Sequence, residues 1–262
     1  SQDLVDFQVG QQSMHSLAIA GSVQGQNSAE SSFSVGIVVN GAVVVTDMKI
    51  NTQATITTNS HINQNSSVSE SQSTVQVLAT NQLNVSTDAG GVSVSESASL
   101  TGAAVGIAIG GADNSFDSSN QTKATIEDSS SVIGQSVNVN ALHSPTIGNI
   151  AFGVAVSVDL STSTFGAAIG FSGAFLQSDQ SDSVQAGVSG SHVSVSDTIT
   201  VEADDKSRMV TSSDAGSLQV ASGDGGSVAL APSAVTNKVT VGNSVLAWIG
   251  QQPLSDGTLI DE

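Results

Sequence analysis

The chain repeats itself with a period of about 62 residues, and that period decides what it can fold into. Val75-Gln-Val77-Leu-Ala79 returns as Val137-Asn-Val139-Asn-Ala141 and again, after the same interval, as Ile199-Thr-Val201-Glu-Ala203. Alanines Ala54, Ala124, Ala186 and Ala247, each inside a short apolar stretch, follow at intervals of 70, 62 and 61. Two glycine series keep similar spacing: Gly36, Gly106, Gly166 and Gly226, and Gly21, Gly90, Gly153 and Gly216. The longer first interval marks an insertion of about eight residues in the first unit, by the same repeat logic.

Within a unit the pattern is that of strands. Val92-Ser-Val94, Val154-Ala-Val156-Ser-Val158 and Val193-Ser-Val195 alternate apolar with small or polar side chains at period two. β-Branched residues dominate these stretches, and Ser, Asn, Asp and Gly clusters such as residues 113–120 separate them as turns. No amphipathic helix is predicted. Short strands, frequent turns and repetition leave an all-β β-solenoid of about four units, in which each unit buries its apolar face on its neighbours. Propeller blades bring aromatic signatures that are missing here, and a tandem of small β-sandwiches is the alternative. The predicted organisation is an extended segment over 1–14, solenoid repeats over 15–249 and an acidic tail over 250–262.

Composition narrows the function classes. Acidic residues outnumber basic ones 23 to 5, for a formal charge of −18, and Arg208 is the single arginine. A chain with so few cations is a poor match for phosphates, nucleic acids or anionic membrane surfaces. There is no cysteine, hence no disulfide and no thiolate nucleophile. Apolar runs fall short of the roughly 20 residues of a spanning helix, and a chain with one Trp and no Tyr lacks the aromatic girdles of a membrane barrel. A soluble protein with a polar, acidic exterior is expected.

The run Ala103-Ala-Val-Gly-Ile-Ala-Ile-Gly110, then a polar turn and Lys123-Ala-Thr-Ile126, then Ser136-Val-Asn-Val-Asn-Ala141, resembles the repeats of very large bacterial surface proteins. These are the filamentous-haemagglutinin-like and leukotoxin-like families, and the likeness covers roughly residues 15–249. The resemblance implies a secreted or surface-exposed β-solenoid serving in adhesion or as a structural shaft. It carries no catalytic residues across. Those proteins are giant, so the resemblance implies a segment of one or a short member.

Few residues carry chemistry. Serine is abundant, with 47 in the chain, yet no G-x-S-x-G elbow occurs; Gly187-Val-Ser189-Gly190 stops one residue early. A β-helix enzyme acting on acidic glycans would need basic residues beside its carboxylates, and stands behind a non-enzymatic reading. The four histidines, His15, His61, His143 and His192, match no metal-ligand spacing and read as surface residues; His61 and His192 share a repeat position that holds Ser131 in the second unit. Asp47, Asp117 and Asp179 each lie seven residues before a marker alanine, and oxygen ligands of this kind suit calcium. Turn aspartates bonding their own backbone are the plainer reading. Asp88 and Asp214 are likewise expected to be equivalent. Thr55-Ile-Thr57 and Thr198-Ile-Thr200 raise an ice- or mineral-binding alternative, though no such row persists through all units.

No cofactor is expected, with calcium the one candidate. The expected partner is the chain itself. A solenoid has two open ends, and neither is polar: Leu4 and Phe7 lie in a β-patterned N-terminal stretch, while Val245, Ala247, Trp248 and Ile249 form the most apolar marker strand. Head-to-tail stacking of copies into filaments is predicted, or capping of these ends by neighbouring parts of a longer chain. A host, cell-surface or matrix ligand is a further candidate partner. The repeat alignment places Val77, Val139 and Val201 in one inward column. Val139→Asp would bury an unpaired carboxylate there, and is expected to cost about 3–5 kcal/mol and abolish the cooperative thermal transition.

Overall fold

The computed structural model describes residues 3–28, 33–64, 73–128, 130–162 and 164–250, with side chains from residue 13 onward. Among the described residues it is all-β, with no helix, and the strands pair in parallel in four sheets, here A to D. The chain passes through the sheets in the same order and then begins again. The first circuit comprises β1 (Asp3–Ser28), β2 (Phe33–Met48), β3 (Asn51–Ile56) and β4 (His61–Ile62), in sheets A, B, C and D respectively. The second comprises β5 (Thr74–Ser99), β6 (Ala103–Ser118), β7 (Gln121–Ile126) and β8 (Ser131–Gly134). In the third, β9 (Ser136–His143) and β10 (Thr146–Ser161) share sheet A, followed by β11 (Gly166–Gln180), β12 (Ser183–Val188) and β13 (His192–Val195). The last holds β14 (Ile199–Asp205) and β15 (Arg208–Ser222) in sheet A, β16 (Ser227–Leu230) and β17 (Ser233–Val241) in sheet B, and β18 (Ser244–Ile249) in sheet C. Curled parallel sheets of this kind are compatible with a β-solenoid or β-helix. Each sheet takes strands from successive circuits, unlike separate tandem sandwiches. β1 runs unbroken past residue 15, and 251–262 lie outside the described residues.

The pairing registers put the alanine and valine markers side by side. Val75, Val137 and Ile199 are neighbours, as are Val77, Val139 and Val201. Ala54, Ala124, Ala186 and Ala247 form one row across sheet C. Ile62 pairs with Val132 and Thr74 with Ser136, and the sequence offset shortens from the first pair to the second. The insertion in the first unit therefore falls between Ile62 and Thr74. The glycine series do not hold. Gly106 pairs with Gly36 but, on its other side, with Ala168; Gly166 pairs with Ala104. Gly153 faces Gly91 rather than Gly90, and Gly21 pairs with Val92. Asp88 pairs with Ile150 and Asp214 with Phe152, so these two aspartates are not equivalent. A strand tolerates glycine on either face, whereas an inward Val or Ala is held by the core behind it.

The interior changes character along the long strands. Where the first half of β5 and β9 faces sheets C and D, Val75, Val77, Val137, Val139, Ile126, Val132 and Val184 form a dry aliphatic core. Next come Met48, Leu83, Val85, Phe116 and Ile147, and then a band of Ala89, Ala112, Ala151 and Ala174 with Leu176. Beyond it the space between sheets A and B holds Ser93, Ser95, Ser97 and Ser157, all fully buried. There the sheets touch backbone to backbone: a Cβ on Gly91 would overlap the Gly111 carbonyl, one on Gly110 the Val154 carbonyl, and one on Gly153 the Gly173 carbonyl. Side chains too short to fill the gap hydrogen-bond across it instead, Ser95 Oγ donating to the Gly36 carbonyl at 3.0 Å and Asn40 Nδ2 to that of Val92 at 2.7 Å.

The exterior departs from the expected polar surface. With the inward positions given to Ser, Gly and Ala, the alternate positions of the same strands turn Ile37, Val39, Ile109, Ile150, Phe171 and Leu218 to the outside. The glycine contacts yield a paired prediction. Gly91→Ala must force the sheets apart and is expected to destabilise by about 2–4 kcal/mol. Gly111→Ala, whose Cβ meets only the Asn40 carbonyl oxygen at 4.0 Å, should melt within about 0.5 kcal/mol of the parent in urea titrations.

Candidate self-association site

The last circuit exposes what the earlier ones bury. Val184, Ala186 and Val188 of β12 point into the core and are 0%, 0% and 5% accessible. Their register neighbours in β18 are Val245, Ala247 and Ile249. Val245 is 46% exposed, Ile249 64%, and Ala247 is exposed as well. The same holds in sheet B, where Val235 continues the row of the buried Ala174 and Val239 that of the buried Ser178, yet both are exposed. These inward positions are bare because no further strand layer covers them among the described residues. The strand edges of β14, β16 and β18 are also unpaired there. Such a surface offers ladder hydrogen bonds and an apolar floor to one more parallel layer.

Two details modify the expected site. Trp248 does not belong to the bare floor: its ring lies over Gly187 on the opposite side of the strand and is 7% exposed. Only a residue without a Cβ at 187 leaves room for it. The two ends also differ. In the first circuit Val38, Val44, Ala54 and Ile56 are buried, in contrast to their counterparts in the last. Leu4 and Phe7 pair through their backbones with Gln76 and Ala79, and their side chains lie outside the described residues.

The expected aspartate column is present as a row. Asp47 pairs with Asp117 and Asp117 with Asp179, all on the outer face of sheet B, with Thr240 next. Asp47 lies 3.5 Å from Lys49 Nζ, and Asp179 accepts from Gln177 Nε2 at 2.7 Å. The bonds from Gln177 and Thr240 hold the Asp179 carboxyl below the usual range. The row is linear, and among the described residues no group of three or more His, Asp or Glu is placed to hold a metal ion. His61 and His192 flank Ser131 as the spacing implied. Thr55 and Thr125 stack with hydroxyls 3.4 Å apart, but Gly187 and Trp248 complete that row, so no threonine lattice forms on it. A concavity of about 310 Å³ on sheet A is lined by Gln76, Leu78, Asn138, Asn140, Thr200 and Glu202, amide-rich and without a basic residue.

What sequence reading missed lies at the corner between sheets B and C. The Ile50 N–H donates to Asn120 Oδ1 at 2.8 Å, the Asn120 N–H to Asp182 Oδ1 at 2.7 Å, and the Asp182 N–H to Asn243 Oδ1 at 3.0 Å. Each corner residue thus ties the circuit before it. The signal was available, since Asn120, Asp182 and Asn243 each stand four residues before a marker alanine.

Asp182 is the hub of this corner and is fully buried. It also accepts from Ser118 Oγ at 2.8 Å, Gln180 Nε2 at 2.7 Å and His143 Nε2 at 2.9 Å. Burial pushes its carboxyl up, but the bonds from His143, the Asn120 N–H, Gln180 and Ser118 outweigh it and hold the carboxyl below its ordinary value. His143 Nδ1 lies 3.3 Å from Thr122 Oγ1, so hydroxyl, imidazole and carboxylate stand in the order of a nucleophile, its base and an orienting acid. All three are buried, and the set ties sheet A to the corner. A second buried carboxylate, Asp159, is pushed up by burial, against which the Ala167 and Gly106 N–H groups pull. Among the described residues its Oδ1 has no hydrogen-bond partner.

No protein-family model, curated protein or solved structure matches the chain.

The two buried carboxylates give opposite pH signatures. A lowered folded value means Asp182 adds stability above the ordinary carboxyl range near 3.8 and loses it as pH falls through the folded value. Asp182→Asn is therefore expected to cost about 2–4 kcal/mol at neutral pH and progressively less in acid. Asp159, with its value raised, lowers stability as pH rises above that range. Asp159→Asn keeps an acceptor for the Ala167 N–H and should melt above the parent at neutral pH, the two curves converging in acid. Thermal melts from pH 2 to 7 check both.

Proposed function

We propose that the chain is a β-solenoid of about four wide coils, of roughly 62 residues each, serving as a non-enzymatic structural or adhesive element outside the cell. Its terminal coil accepts a further parallel coil, which yields a head-to-tail filament when that coil belongs to a second copy. The bare core positions of β18, Val245 and Ile249, are the observation that carries this reading. A surface that already has the register, the free edge and the apolar floor of a buried layer needs no rearrangement to add one, and the contact is heterologous, so it does not close. The resemblance to bacterial surface repeat proteins supports the extracellular setting. The scarcity of basic residues counts against enzymes that grip anionic glycans.

Negative-stain micrographs and sedimentation of the purified protein test the proposal. Filaments or length-distributed oligomers are expected, and Val245→Asp with Ile249→Asp should reduce them to short species while the β-type circular dichroism spectrum persists. A parent that stays monomeric at high concentration sinks the head-to-tail reading. Trp248 is unsuitable for this test, because a charge there would disturb its packing on Gly187.

A further inference from the structure

The corner ladder between sheets B and C is unfinished at the last circuit. Ile50, Asn120, Asp182 and Asn243 hold one position in successive circuits, immediately before the sheet C row of Asn51, Gln121, Ser183 and Ser244. At each of the first three, the backbone N–H donates to a side-chain oxygen of the next corner residue. The backbone carbonyl of each accepts from the N–H one residue beyond that next corner. Both bonds therefore point forward, from one circuit to the following one. The Asn243 side chain is already in use: Oδ1 takes the Asp182 N–H at 3.0 Å, and Nδ2 donates to Asp205 Oδ2 at 2.6 Å. Among the described residues its backbone N–H and carbonyl have no hydrogen-bond partner. They stand beside the free edge and bare floor of β18.

We infer that the terminal coil takes as its cover a parallel coil with Asn or Asp at this corner, and that Ile50 makes a second copy of the chain the poorer cover. This rests on the reading that a further coil adds there. All three junctions within the described chain meet the corner N–H with an Asn or Asp oxygen. Backbone does not supply that acceptor: the N–H groups of Gln121, Ser183 and Ser244 go to carbonyls, whereas the corner N–H groups go to side chains. A donor that a new layer buries without an acceptor gives up water and gains nothing, which costs more than a completed bond returns. The requirement therefore falls on one side chain of the incoming coil.

Continuing the rows shows how a second copy meets it. With Asn243 beside that copy's Ile50, Ala247 falls beside Ala54, Ile249 beside Ile56 and Val235 beside Ala42. These inward rows join apolar to apolar. The corner does not match: Ile50 packs on the cluster of Met48, Leu83 and Phe116 and has no side-chain oxygen to offer. Residues 251–262 span too little of a circuit of about 62 residues to reach another corner themselves. The floor thus accepts any apolar strand of the right period, and the corner discriminates among them. Replacing one residue turns the copy into the matching cover, so the chain serves as its own probe.

Ile50→Asn supplies the missing oxygen, and Ile50→Val trims the side chain without supplying one. Sedimentation velocity over a concentration series should show the Asn variant assembling at a concentration about tenfold below the parent, with the Val variant at the parent's level. Thermal melts of dilute, unassembled protein should place the Asn variant below the parent, because Ile50 leaves its apolar cluster. A substitution that only destabilises would not also tighten assembly. In the Val245→Asp, Ile249→Asp background the gain should vanish, which locates it at the terminal coil. Equal assembly by the parent, Asn and Val variants overturns the corner requirement and leaves head-to-tail growth standing. Absence of assembly in all three overturns both. An equal gain in the Val variant, or a gain that persists with the terminal coil blocked, overturns the corner requirement alone. Ile50→Asp, which carries the residue type found at Asp182, takes the place of the Asn variant should that one fail to fold.

Discussion

Everything in this fold depends on parallel pairing between strands a fixed interval apart. Once Val77 is bonded beside Val139, and Ala124 beside Ala186, every residue lies next to its counterpart one circuit on, at the spacing of neighbouring strands. Side chains then pack first against their own equivalents. Aliphatic residues gain from this, as the column through Val75 and Val137 does. Charged residues lose unless a partner intervenes, as Lys49 does at Asp47 and Gln177 at Asp179. The corner between sheets B and C uses the same spacing. An Asn or Asp oxygen from one circuit satisfies a backbone N–H of the circuit before it, so the bend costs no unpaired donor.

The rows easiest to find in the sequence were those whose side chains cannot change faces without emptying the core. Ala54, Ala124, Ala186 and Ala247 point inward, and a slip of one residue would turn the row outward. That is why this series predicted the pairing residue for residue, and why the insertion could be placed in the first unit. The glycine series misled because glycine serves two ends here. Gly91 and Gly153 let the sheets touch, while Gly90, on the other face, makes room for the Phe152 ring. Spacing alone does not separate these uses. Asp88 and Asp214 failed for a related reason: a polar residue on an outer face has no core to hold its register.

The buried polar groups were illegible for a different reason. His143 and Asp182 are far apart in the sequence, and nothing in either neighbourhood announces burial. Their meeting follows from where the corner of one sheet passes behind the strands of another. The sequence suggests histidines at the surface, yet His143 is among the largest fully buried side chains. Asn120 stands in an N-x-T sequon and is buried in the corner ladder instead. The same limit applied to the exterior. Period-two alternation identifies two faces, and apolar residues were assigned to the inner one by default.

That default fails in the outer half of sheets A and B, and the reason is geometric. Past the first circuit, where Val38 is buried, the sheets there are too close for aliphatic side chains between them, so the inward positions hold mostly Gly, Ala and Ser, and cohesion comes from backbone contact and cross-sheet hydrogen bonds. Hydrophobic burial, the usual main driving term, is then largely unused on that half of the strands, because Val39, Ile109 and Phe171 stay outside. Apolar groups left uncovered among the described residues represent unused binding free energy, available to whatever removes them from water. The bare floor of the last circuit presents the same condition along the other direction. With a net charge of −18, copies of the chain repel one another, which opposes contact between them at low salt. The two surfaces differ in what would cover them. The floor of β18 keeps the register and free edge of a parallel layer, so a strand of matching periodicity would complete it. The outer face of sheet B offers side chains rather than backbone groups, with Asp47, Asp117 and Asp179 at its border.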